Sequence, residues 1–378
     1  MSTLTRRQRL QKIFAGEVPD RPAVKLWGAA PGQHVKHPAY EPVRDTAVEL
    51  ADLTLPGASP FDLYCGRHAE RLTETREEPT DDPAWVHRIG TYHTPEGPLR
   101  TVSWHSTRGR PGYVAEHLLK EPEDIRKLLS MPYEPYPFDA DCYLAEDRRV
   151  GDAGIVIYGL SHAMYGLERM IGSENFALWS FDAENLMLEA MAVFAERIRA
   201  EAQRVIDAGL RPVFGWVGPE LAIPPLMSVD HFRRYVYELD KPLIDMIHDA
   251  GGYVWVHCHG KMSPVIKLFA QMGVDVLNPI EPPPMGDVTL DEAFAMTGER
   301  MGLEGNIETH DLMTGTPALV REKIDAALAS VKGQRRLILC PSSSYMENPQ
   351  PPGQLIENLL CFVRYGVEAA ERLATQPA

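Results

Sequence analysis

The chain has 378 residues, 44% apolar and 24% charged, ordinary globular usage that excludes a mainly disordered polypeptide. Its 53 acidic and 38 basic side chains leave a net charge of −15, which argues against a nucleic-acid-binding surface. No apolar stretch approaches the roughly 20 residues of a membrane span, the polar start Met1 to Arg9 is no secretory leader, and five scattered cysteines (Cys65, Cys142, Cys258, Cys340, Cys361) form no disulfide framework, so a cytoplasmic setting is expected.

Taken in chain order, Thr5 to Ala15 predicts a short helix with Leu10, Ile13 and Phe14 on one side. Ala23 to Trp27 predicts a strand ended by Gly28. Residues 28–150 hold mixed turn signals, four histidines (His34, His37, His68, His87), an alternating piece at Thr101–Trp104 and a short helix over Glu121–Leu129. That region reads as an N-terminal elaboration. Beyond residue 150 the pattern becomes regular. Short apolar runs at Ile155–Tyr158, Pro212–Trp216, Tyr253–His257, Val274–Leu277, Met301–Glu304 and Arg336–Cys340 read as strands covered on both faces. Between and after them lie helical patterns at 186–208, 229–248, 263–272, 290–296, 317–331 and 355–373. Ser263-Pro264 and Thr316-Pro317 each offer an N-cap before a first-turn proline.

Such alternation predicts an α/β fold of parallel strands and right-handed crossovers. A (β/α)8 TIM barrel, one domain over 1–378 elaborated at residues 28–150, is the simplest closure; an open doubly wound sheet is the competitor. No GxGxxG follows a strand and no GxxxxGK[ST] occurs, so neither a dinucleotide nor a P-loop turn is present.

Barrel chemistry sits at the C-terminal ends of strands, and these ends carry His, Glu and Cys, the side chains that bind zinc. His257 and His259 are two residues apart, so a continuing strand points both to one side. They read either as a metal pair or as one backbone-bonded and one surface histidine. Glu281, stiffened by Pro282 to Pro284, reads as a third ligand or as a turn cap. Cys340 reads as a ligand or as buried core. Glu220 and Glu304 read as weaker metal candidates or equally as ion-pair partners in the mouth; Glu220, and Tyr345 after the last strand, are also candidate proton donors. Trp27, His162, Trp216 and Asn306 stand near strand ends as candidate substrate contacts, and the tryptophans read equally well as core.

These pieces together resemble the uroporphyrinogen decarboxylase superfamily, which is built on (β/α)8 barrels. The match is carried by Lys241-Pro242-Leu243-Ile244-Asp245, Val256-His257-Cys258-His259-Gly260, Gly273-Val274-Asp275-Val276-Leu277 with Glu281, Gly305-Asn306-Ile307, Gly315-Thr316-Pro317, Arg364-Tyr365-Gly366 and the N-terminal segment Arg6 to Arg21. True decarboxylases of that superfamily carry Arg-Gln-Ala-Gly-Arg after the first strand; here Trp27-Gly28-Ala29-Ala30-Pro31 stands there, without the arginines that clamp carboxylates. The resemblance therefore implies the corrinoid-dependent methyltransferase branch, whose zinc is bound by His-x-Cys, a Glu and a late Cys. His257 matches the His, His259 stands in place of the Cys, Glu281 matches the Glu within one residue, and the late Cys falls near Ser344, four residues beyond Cys340.

The implied activity moves a methyl group from a small donor to the Co(I) corrinoid of a partner protein, zinc-assisted. An aryl methyl ether is the favoured donor and a methylamine the second. The chain carries no Asp-x-His-x-x-Gly corrinoid module, hence the separate partner, and a homodimer is open. The competing readings are a cofactor-free decarboxylase of a smaller acid using Arg67 or Arg71, a non-catalytic binder of a corrinoid protein or small ligand, and a metal-dependent hydrolase.

Overall fold

A computed structural model of the chain describes residues 4–57, 64–298, 300–331, 336–343, 346 and 349–375. Twelve strands form two sheets among these residues. They are β1 (Ala23–Val24), β2 (Leu53–Pro56), β3 (Thr73–Pro79), β4 (Trp85–Thr94), β5 (Gly97–Ser106), β6 (Tyr113–Glu116), β7 (Gly154–Gly159), β8 (Val213–Val217), β9 (Tyr253–His257), β10 (Val276–Asn278), β11 (Gly302–Ile307) and β12 (Leu337–Pro341).

Eight strands pair parallel in the order β1-β12-β11-β10-β9-β8-β7-β2. The two ends of that row meet through Asp52: its backbone N–H donates to the Val24 carbonyl at 2.7 Å, and its carboxylate accepts the Val24 N–H at 2.8 Å. The same carboxylate takes Arg9 at 2.6 Å and Arg21 at 3.1 Å, and all three side chains are buried. So the expected barrel forms, and the N-terminal Arg9 and Arg21 close its seam.

The barrel interior follows the two-residue period of its strands. Ala23, Ile155, Val213, Trp255, Val276 and Ile338 form one inner cluster, floored by Leu10, Ile13 and Phe14 of the N-terminal helix Arg6–Phe14. That helix starts at a capping box, Thr5 bonding the Gln8 N–H and Gln8 the Thr5 N–H. One more step along each strand reaches the mouth, so His257, Asn278 and Cys340 continue the inward rows of Trp255, Val276 and Ile338. A larger core lies between the barrel and its helices.

Several details differ from the sequence reading. Residues 28–150 contain the second barrel strand β2 and a four-stranded antiparallel sheet, β3-β4-β5-β6. The strand over 23–27 stops at Val24, because Lys25 and Trp27 turn into the mouth. Ser263 caps no helix. The helix begins only at Ile266, and Ser263 instead bonds Asp287 through its N–H (3.0 Å) and hydroxyl (2.5 Å), tying the loop after β9 to the loop after β10. Thr316 does cap its helix, accepting the Leu319 N–H. The single helix expected over 229–248 contains a π-helical stretch at Arg233–Tyr237.

Asp52→Ala removes the buried carboxylate shared by the Arg9 and Arg21 guanidinium groups, leaving Arg9 its pair with Asp20, and it takes away the acceptor of the Val24 N–H. We expect a loss of about 3–5 kcal/mol in unfolding free energy, read as a lower denaturant midpoint.

Candidate functional site

The mouth holds a linked row of polar side chains. Glu304 on β11 is fully buried and accepts three bonds: Lys25 Nζ at 2.6 Å and Asn278 Nδ2 at 2.9 Å on Oε1, and Trp255 Nε1 at 2.9 Å on Oε2. Asn278 Oδ1 then lies 2.5 Å from His257 Nδ1. The Lys25 ammonium sits 3.8 Å above the Trp27 ring and 5.1 Å from that of Trp255. Both tryptophans pack on His257, at ring separations of 5.9 and 5.8 Å.

The His257 and His259 rings are 4.5 Å apart, so the structure does bring this pair together. His259 Nδ1 donates to Glu281 Oε1 at 3.0 Å, and the Gly260 N–H donates to Glu281 Oε2 at 2.9 Å. Two further carboxylates belong to the cluster. Glu220, in the short turn after β8, and Glu308, just beyond β11, each keep one buried carboxylate oxygen without a partner. Both interact electrostatically with His259.

Charge states follow from these surroundings. Burial pushes His257 down to about 4, helped by the neighbouring His259, so its imidazole is neutral at neutral pH. Burial also works against charge on His259, but the bonded Glu281 outweighs it and holds His259 above its ordinary value. Burial likewise opposes charge on Glu281, yet His259 and the Gly260 N–H hold that carboxyl below its usual range. Burial raises Glu220. Glu308 is pushed up to about 7 by burial and by the charges of Glu281 and Asp311.

A cavity of about 930 Å³ opens beside Trp27 and Trp255, the two rings packed on His257. Lys25 shares that inner wall, and Gly28 to Gln33 and Arg149 lie along it, while the Trp216 side chain at its edge is turned to the helices, where its indole N–H meets Asp240. Gly215 keeps room for the wall: a Cβ there would stand 3.0 Å from the Trp255 ring and 2.6 Å from Ile157.

The remaining candidates are placed as follows. His162 is buried; its Nδ1 accepts the Tyr165 N–H and its Nε2 lies 3.2 Å from Asp240, which also accepts the Trp216 indole N–H. Both ring nitrogens of His162 are thereby used within the fold. Cys340 is fully buried beside Glu304, and burial pushes its thiol well up. Asn306 is half-buried at the end of β11, paired in register with Cys340. Tyr345 lies outside the described residues. Arg67 and Arg71, the arginines of the decarboxylase reading, pair with Glu134 at 3.8 Å and do not line the cavity.

Lys25, Trp255, Asn278 and Glu308 entered no site in the sequence reading, and Glu304 entered only as a weak metal candidate or an ion-pair partner. The available signal was the two-residue period, which carries Trp255 to His257, Val276 to Asn278, and Glu304 toward Glu308.

Among the described residues no three His, Cys, Asp or Glu side chains are arranged to hold a metal ion. The chemistry of the donor set still suits zinc: a neutral imidazole, a carboxylate held ionised, and two unpartnered carboxylate oxygens beside them.

The chain matches the family described as Uroporphyrinogen decarboxylase (URO-D) over residues 102–365, and it belongs to that family. Over 162 residues it is 26% identical to the Methylcobamide:CoM methyltransferase MtaA of Methanosarcina barkeri, covering 43% of this chain and 45% of that protein. The match thus spans less than half the length of that relative. The fold is shared with a methyltransferase from Methanosarcina mazei, at a TM-score of 0.61, 17% identity, and 97% and 99% coverage of the two chains. No described helix is long and apolar enough to cross a membrane.

Glu308 carries a pH signature. Its carboxyl is raised to about 7 in the folded chain from an ordinary 4.5. Its contribution to stability is fully present below about pH 4.5 and is lost as pH rises through 7. Glu308→Gln should flatten the stability–pH curve of the apoprotein between these values, measured by urea unfolding at several pH values; an unchanged slope contradicts the assignment.

Proposed function

We propose that this protein moves a methyl group from a small methylated donor to the cobalt of a corrinoid carried by a separate protein, with zinc assistance. An aryl methyl ether is the favoured donor and a methylamine the second. The observation that carries the reading is the His257, His259 and Glu281 group at the C-terminal mouth of the barrel, with His257 packed on Trp27 and Trp255 of the adjoining cavity. The likeness to methyltransferases supports it.

In this reading His257, His259 and Glu281 hold the zinc, and His259 gives up its proton to do so. The bound ion supplies a Lewis acid for the donor's oxygen. The partner's corrinoid supplies the nucleophile. The chain does the rest. Trp27 and Trp255, set edge to face 5.9 Å apart, offer apolar surface that orients an aromatic ring and excludes water. Glu220 and Glu308, whose carboxyls burial keeps toward the protonated form, stand by to deliver a proton from the unpartnered oxygen to the leaving phenolate. Glu220 was a candidate from the sequence; Glu308 joins it.

The first test is metal content together with methyl transfer to free cob(I)alamin, using 2-methoxyphenol and trimethylamine as donors. We expect about one zinc per chain, lost in His257→Ala, and methylcobalamin formed from 2-methoxyphenol. No zinc in folded protein purified without chelator sinks the metal role; no methylation from either donor sinks the transferase reading. The double variant Glu220→Gln/Glu308→Gln should keep its zinc and lose about 10²–10⁴-fold in kcat.

A further inference from the structure

The hydrogen-bond chain beneath the mouth fixes more than position. A carboxylate offers only acceptors. Glu304 is bonded by Lys25 Nζ and Trp255 Nε1 as well as by Asn278, so the Asn278 atom that faces it is the amide nitrogen. The reverse orientation would set an amide oxygen against a carboxylate oxygen. With Nδ2 committed to Glu304, the atom 2.5 Å from His257 Nδ1 is Oδ1, again an acceptor only. His257 Nδ1 must therefore donate. Asn278 is itself held: it is fully buried, and its carbonyl takes the Cys258 N–H at 2.6 Å.

We propose that Asn278, oriented by Glu304, is a positioning residue that locks His257 in the tautomer with hydrogen on Nδ1 and a bare lone pair on Nε2. A metal-binding imidazole needs that free lone pair, and an outer partner on the other nitrogen sets which one it is. The use of Nε2 in methyl transfer rests on the reading above; the tautomer does not, and it exists in the protein with neither donor nor metal.

The test is ¹⁵N-histidine NMR of the metal-free full chain, with His257 assigned from the signals missing in His257→Gln. We expect a protonated Nδ1 and an unprotonated Nε2 at neutral pH. Asn278→Ala should lose that pattern, giving a mixture or the opposite tautomer. Zinc affinity should fall about 10–100-fold in Asn278→Ala. A wild-type spectrum with hydrogen on Nε2 of His257 overturns the proposal, whatever becomes of the Asn278 variant. So does a folded Asn278→Ala variant whose His257 signals match wild type. Failure of cob(I)alamin methylation with an intact Nδ1–H pattern would instead remove only the methyltransferase reading.

Discussion

Glu304 is a carboxylate placed where no water reaches it, and the mouth of the barrel is organised by what it takes to keep it there. An uncompensated charge in that position would be very costly. Its compensation comes from three different strand ends: Lys25 after β1, Trp255 on β9 and Asn278 on β10. Four of the eight strands thus meet at one side chain. Lys25 lies over Trp27, so the ion pair also pins an aromatic wall of the cavity. A group that reads as an ion-pair partner is the common anchor of the cavity wall and of the first histidine.

The mouth divides electrically around that anchor. On one side, Glu304 is matched by Lys25 and the row ends in a neutral His257. On the other, Glu220, Glu281 and Glu308 crowd a single His259, and two carboxylate oxygens are left without partners. Burial first, and then the charges of Glu281 and Asp311, raise Glu308 to about 7, while Glu281, bonded to His259 and the Gly260 N–H, stays low. Carboxyls pushed apart in this way are suited to different tasks, one as a permanent anion and another as a proton carrier near neutral pH. The neutral side offers a lone pair, the acidic side offers a proton or an anion, and the cavity adjoins the neutral side through Trp27 and Trp255, which pack on His257.

Much of this was legible in the chain. Regular apolar runs after residue 150 predict six of the eight barrel strands, because strands buried on both faces cannot hide their composition. The two-residue spacing of His257 and His259 and the Glu after the next strand were visible for the same reason. The early region was opaque on physical grounds. Strand β2 is only Leu53–Pro56, too short for any period to show, and the sheet β3 to β6 has exposed, polar edges such as Thr73–Pro79. Asn278 and Glu308 escaped notice because their significance lies in neighbours 21 to 30 residues away. Asn278 matters through Glu304 and His257; Glu308 matters through burial beside Glu281. Ser263 misled for a related reason: local capping chemistry lost to a tertiary acceptor, Asp287.

The cavity's charges also weigh against a polycarboxylate as the ligand of this site. Binding such a substrate requires cations with unspent hydrogen bonds. Among the described residues lining the cavity, the cations are Lys25 and Arg149. Lys25 is committed to Glu304, and Arg149 to Glu146 and the Pro31 carbonyl. Beside Lys25 stand the rings of Trp27 and Trp255, so an anionic ligand would find no cation there with an unspent hydrogen bond, whereas a neutral or cationic one would meet aromatic surface. The stretch Trp27 to Pro31 stands where the resemblance would have placed the arginines of a decarboxylase, and it contributes apolar lining instead. That exchange of carboxylate clamps for apolar surface is what the proposed function takes up, with a small methylated molecule in place of an acid.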